Sequence, residues 1–196
     1  VTITNESSKR PTRTMTAMAR KGRFIAMTRL EPGANKLIVT AGKAKQRLTI
    51  IYTPQTNPYI VRVFLMTGKE GDTTFQTQIK DDPQDYKGKL ATAMLLMQTF
   101  TAERMNDSGH GRVTFNLEFD TAGDVVVHTL KGERDADYYR TQTGHELWGY
   151  SARLIRKTAH HATARNLVIP AFSRFDPKTR KTLGHTALGG GSHAFF

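Results

Sequence analysis

The residues best suited to chemistry are His145 and Glu146, in the run His145-Glu146-Leu147-Trp148-Gly149. A zinc-peptidase helix of the H-E-x-x-H type needs two imidazoles one turn apart on the same face, with the glutamate beside the bound water. The second position here is Gly149, which offers no ligand. Glu146 has another use. Thr143-Gly144-His145-Glu146 has the form of a capping box, with a hydroxyl for one orphan backbone amide and a carboxylate reaching back to another. The run predicts a helix start and no metal.

The remaining histidines read as surface or packed residues. His160 and His161 are adjacent, so their rings point in different directions and would chelate one ion poorly. His110 sits in the turn Asp107-Ser108-Gly109-His110-Gly111, and His185 and His193 lie in a glycine-rich stretch. Gly189-Gly190-Gly191-Ser192 lacks the lysine and following helix start of a phosphate-binding loop. Three glycines suit a strand edge or the close approach of a peptide backbone. Spacing alone assembles no Ser-His-Asp set and no catalytic carboxylate pair, because such groups meet only in the fold.

The elements that would position these residues fall into two groups. Val1 to Asn5, Arg23 to Leu30, Lys36 to Ala41 and Gln46 to Tyr52 alternate apolar and polar residues, and Glu31-Pro32-Gly33-Ala34-Asn35 supplies a turn. Short strands divided by turns predict a small antiparallel β-sandwich over 1–57. Thr53-Pro54-Gln55-Thr56-Asn57-Pro58 then breaks the pattern. Over 58–196 strands alternate with helices. Tyr59 to Met66 is an apolar strand broken only by Arg62, and Lys87 to Met105 is a helix with Leu90, Met94 and Met97 on one stripe. Arg112 to Phe119 and Asp124 to Leu130 are strands joined by a hairpin turn at Asp120-Thr121-Ala122-Gly123. Thr143 to about Lys157 is a second helix, Asn166 to Phe175 a strand, and Leu183 to Ala187 a return strand leading into the glycines. The expected class is α+β, a small sandwich followed by a mixed sheet with two helices.

Composition narrows the function classes. No window approaches eighteen consecutive apolar residues, so no membrane partner is expected. The absence of cysteine removes disulfides and thiolate zinc sites and fits a reducing compartment, hence a cytoplasmic location. Charge is uneven. Residues 1–60 hold eleven Lys or Arg against two carboxylates, Glu6 and Glu31, which leaves +9 of the net +12 there. Residues 1–57 are therefore a candidate for docking on an anionic partner, nucleic acid or an acidic surface, although no zinc finger or aromatic nucleic-acid motif accompanies the charge.

Leu183-Gly184-His185-Thr186-Ala187-Leu188-Gly189-Gly190-Gly191-Ser192 resembles a stretch of a eukaryotic family, common in fungi, described as putative zinc metallopeptidases. Leu30 to Leu37, Phe64 to Glu70, Gln98 to Met105 with Gly109 to Arg112, and Phe172 to Pro177 are similar to other segments of that family. The resemblance implies a zincin-like fold, zinc in the full-length protein and a peptide or protein substrate. The family's H-E-x-x-H helix has no counterpart in these residues, so the chain alone is expected to bind no zinc and to be inactive. In zincins the strand before that helix pairs with substrate backbone. This points to Ala187, Leu188, Gly189, Gly190, Gly191, Ser192 and His193 as peptide-binding residues. The competing expectation is a non-enzymatic basic binding or structural protein on a degenerate peptidase fold, docking on RNA or another anionic partner.

Overall fold

The computed structural model describes residues 1–9, 14–73, 85–172, 174–176, 181–183, 188–190 and 193–195. The chain is α+β and divides into two compact units, Val1–Pro54 and Gln55–Phe196. The division falls three residues ahead of the boundary drawn from the prolines. The reason is local: the side-chain amides of Gln55 and Asn57 donate to the carbonyls of Arg112 (3.0 Å) and Thr114 (2.6 Å), tying this stretch to the second unit.

The first unit is an antiparallel sheet of β1 (Thr2–Asn5), β2 (Thr14–Thr16), β3 (Gly33–Ala41) and β4 (Ala44–Tyr52), in the order β2-β1-β3-β4. Gly42 at φ 58° turns β3 directly into β4. Two expectations need correction. The described residues of this unit form one four-stranded sheet and not the two layers of a sandwich. Arg23 to Leu30, despite its alternation, forms no strand, and Arg20 and Arg23 make only an isolated bridge.

Side chains explain the second difference. The buried Asn5 amide donates to the carbonyl of Arg29 (3.0 Å) and to Asn35 Oδ1 (3.0 Å). Asn35 Oδ1 in turn accepts from the Glu31 amide at 2.8 Å, and Asn35 Nδ2 donates to the Glu31 carbonyl at 2.7 Å. Two fully buried asparagines thus occupy backbone groups at the end of this segment that a strand would have offered to a neighbour.

The second unit is a mixed sheet centred on β5 (Ile60–Thr67). β8 (Arg165–Pro170) lies parallel on one side of β5. On the other side β6 (Asn116–Leu117) and β7 (Val127–Lys131) lie end to end, both parallel to it. The Asp120 to Gly123 turn forms as expected, with Asp120 Oδ1 accepting from the Asp124 amide at 2.8 Å. Its flanks, however, pair with each other only at Phe119 and Val125; beyond that each joins β5. The expected hairpin is therefore a short excursion between two pieces of one sheet position. Past β8 come β12 (His193–Phe195), parallel to it, and β11 (Leu188–Gly190), antiparallel to β12 at the sheet's edge. The stretch read as one strand from Asn166 to Phe175 is divided. β8 stops at Pro170, and β9 (Arg174–Asp176) pairs with β10 (Lys181–Leu183) as a separate ribbon.

Both faces of β5 are covered, which is why its sequence is a run and not an alternation: Val63 to Met66 are at most 1% exposed. Helix α1 (Tyr86–Asp107) starts where Asp85 accepts from the Gly88 amide (2.8 Å) and packs Met94, Leu90 and Leu95 with Val63, Leu117 and Val127. Helix α3 (Gly144–Thr158) packs Leu147, Leu154 and Ile155 with Phe64, Met66 and Val168. A short helix between them, α2 (Ala136–Arg140), is capped by Asp135 and was not anticipated. Its Tyr139 is buried over Gly132, where a Cβ would lie 2.5 Å from the tyrosine ring, so only glycine fits.

Candidate functional site

The capping box forms. Thr143 N donates to Glu146 Oε2 at 2.7 Å, and Glu146 N donates to Thr143 Oγ1 at 3.3 Å. The bonds from the Thr143 backbone and side chain hold the Glu146 carboxyl below the usual carboxylate range, against the smaller effect of its desolvation. Glu146 is committed to starting α3 and is not free to activate a water. His145 lies against Trp148 with ring centroids 6.4 Å apart, and a Cβ on Gly149 would meet nothing within 4 Å.

Among the described residues no three His, Cys, Asp or Glu side chains gather where they would hold a metal ion. The described residues therefore do not fit a zinc ion. His110 and His160 are exposed. His161 turns inward to its own loop, its Nδ1 accepting from the Ala164 amide at 3.2 Å.

One polar cluster escaped the sequence reading. Arg62, at 7% exposure, is the single interruption of apolar β5. Its Nε donates to Glu118 Oε2 at 3.0 Å, and its Nη1 donates to the carbonyl of Ala159, the C-cap of α3, at 2.5 Å. His128 Nε2 lies 2.6 Å from the same Glu118 oxygen and 3.2 Å from Arg62 Nη2. The shorter bond requires Nε2 to carry the proton, so His128 donates to the carboxylate and cannot also accept from Arg62. The imidazole stacks on Phe64 at 4.8 Å, and the guanidinium lies 5.2 Å from the same ring's centroid. Desolvation works to raise the Glu118 pKa, but the hydrogen bonds and charges of His128 and Arg62 outweigh it and hold the carboxyl below its ordinary range.

This cluster fastens four pieces of backbone: β5, the base of the hairpin excursion, β7 and the C-terminus of α3. Its bonds run between its own members and to the Ala159 carbonyl, which suits a structural tie. The sequence signal was Arg62 itself, since a cation inside a buried strand must find an anion. Glu118 and His128 stand 56 and 66 residues away, and no spacing rule links them.

Of the seven residues expected to bind peptide, Leu188, Gly189 and Gly190 form β11, the outermost strand on that side of the mixed sheet. Register sets Leu188 opposite Phe195, Gly189 opposite Ala194 and Gly190 opposite His193. Among the described residues β11 thus has one side paired to β12 and the other at the rim of the sheet. Ala187, Gly191 and Ser192 lie outside the described residues, as does His185.

Comparison with known proteins agrees with this architecture. The chain matches the family described as "Putative peptidase family" over residues 1–196. A "Putative zinc metalloproteinase" of Schizosaccharomyces pombe is 27% identical over 187 residues, covering 86% of this chain and 30% of the yeast protein. Among solved structures, OgpA from Akkermansia muciniphila shares the fold with a TM-score of 0.54 at 18% identity, covering 74% of this chain and 39% of OgpA. The chain thus spans about a third of the length of these proteins. Matched along its whole length, it belongs to this putative metallopeptidase family.

Proposed function

We propose that these 196 residues form the substrate-aligning part of a zinc metallopeptidase that cleaves peptide bonds. β11 carries the reading. A three-residue rim strand with two glycines presents backbone N–H and C=O groups with little side-chain obstruction, and an extended peptide pairs with such an edge through main-chain hydrogen bonds. The peptide would lie as the next strand beyond β11. Zinc, when bound by the whole protein, supplies an activated water and polarises the scissile carbonyl. Its ligands and the general base are not among the groups described above, so these residues bind and align substrate and do not hydrolyse it.

Zinc content and peptidase activity, measured on the 196-residue chain and on the whole gene product that carries it, test this reading. The expected result is about one zinc per chain and hydrolysis of an unfolded protein substrate by the whole product, with neither in the 196 residues alone. Zinc-dependent hydrolysis by the 196-residue chain itself would overturn it. A second reading, a basic module that docks on an anionic partner, is favoured by one observation: nine of the twelve net positive charges fall in residues 1–60.

A further inference from the structure

The strand register of the first unit sorts its side chains by chemistry. Pairs Thr2 with Thr16, Thr4 with Thr14, Thr2 with Thr40 and Thr4 with Ile38 share one face of the sheet, and the 3.1 Å bond between the Thr4 and Thr14 hydroxyls confirms the side. Continuing across, Thr40 pairs with Lys45, Ile38 with Arg47 and Lys36 with Thr49. The opposite face carries Ile3, Asn5, Asn35 and Leu37, which are buried. One face of the sheet is thus a lattice of threonines with Lys36, Lys45 and Arg47, and none of these paired positions holds a carboxylate.

The three cations are neighbours on two adjacent strands of this face. Lys45 and Arg47 are two residues apart on β4, about 6.8 Å along a strand. Lys36 stands diagonally across from Arg47, one pair further on, a separation of about 7–8 Å. All three are exposed, and none has an ion-pair partner among the described residues.

We propose that this face of the first unit binds the phosphodiester backbone of nucleic acid. The inference rests on the second reading above and names its surface and its partner. Charge complementarity selects a polyanion, and regular spacing selects one whose charges are themselves regular. Each duplex strand carries one charge per roughly 3.4 Å of axis along a helical path, so cations about 7 Å apart are spaced on the scale of neighbouring phosphates. Threonine hydroxyls between the cations are donors of the kind that contact phosphate oxygens. The paired positions include no aromatic ring to stack on a base and no Asn or Gln to read its edge, so binding is to backbone without sequence preference. An anionic bilayer would instead call for apolar groups inserted among the cations. Ile51, at the end of the same face, is the one strongly exposed candidate.

The test is binding of the full chain to a labelled mixed-sequence DNA duplex of about 20 base pairs as salt is raised, with phosphatidylserine vesicles run in parallel. Three phosphate contacts predict a log–log salt slope of about −2.7, or roughly a fortyfold loss of affinity between about 50 and 200 mM salt. The triple variant Lys36→Gln/Lys45→Gln/Arg47→Gln should lose at least about tenfold at low salt. The control Arg20→Gln/Lys21→Gln/Arg23→Gln removes the same charge from outside the four strands and should stay within about twofold. Circular dichroism checks that both variants fold. If the control loses as much as the face variant, a basic docking module survives but the face is wrong. Binding to vesicles and not to the duplex would overturn the choice of partner. Binding to neither at low salt would overturn both this inference and the reading beneath it.

Discussion

Arg62 and Arg47 are both strand arginines, and the two sheets treat them in opposite ways. In the second unit Arg62 is shut between a sheet and a helix and is satisfied by Glu118, the Ala159 carbonyl and the face of Phe64. In the first unit Arg47 stands on an exposed strand beside threonines. The difference follows from layering. A sheet covered on both faces must neutralise any charge it keeps, and the neutralising bonds then become ties between elements. A sheet with one open face can leave its charges in water, where they contribute little to stability and are available for binding.

The largest effect that would break this contrast is expected at Arg62. Replacing it with alanine leaves Glu118 part-buried without its cation and an α3 carbonyl without a donor, a cost of about 3–5 kcal/mol. Trp148, the only tryptophan, packs against the α3 core and reports unfolding of the second unit in a urea titration. A loss under about 1 kcal/mol would mean the cluster is not a tie.

A smaller, pH-dependent effect sharpens the same point. Because the native Glu118 pKa lies below its ordinary value, the carboxylate contributes stability that is present above about pH 4.3 and is lost as pH falls through the lower native value. The stability difference between the wild-type chain and Glu118→Gln should therefore shrink on acidification across that window. A difference that stays constant would remove the charge from the account. The smallest effect belongs to the open sheet: Lys45→Gln and Arg47→Gln should change stability by less than about 0.5 kcal/mol, measured by thermal unfolding. A larger loss would mean that these cations have structural partners.

What the sequence made legible depended on whether the cause was local. The start of α3 could be read from Thr143 and Glu146 because both halves of a capping box lie within one turn. The burial of β5 could be read from its apolar run, interrupted only at Arg62. Arg23 to Leu30 misled because alternation records which side chains are apolar and not whether a neighbouring strand is present. The asparagines that hold its end stand at positions 5 and 35. The short helix α2 lacked the length for a periodic pattern. The Arg62–Glu118–His128 cluster is spatial, and only Arg62 stood out against its surroundings.

The central claim is that β11 receives the substrate. Amide hydrogen exchange of Leu188, Gly189 and Gly190 in the whole gene product, with and without a slowly cleaved peptide inhibitor, tests it directly. Successive N–H groups of an edge strand alternate between the paired and the open side. The account predicts that the inhibitor newly protects the amides facing away from β12, while those already bonded to β12 change little. Protection that appears elsewhere in the protein, with all three β11 amides unchanged, would contradict it.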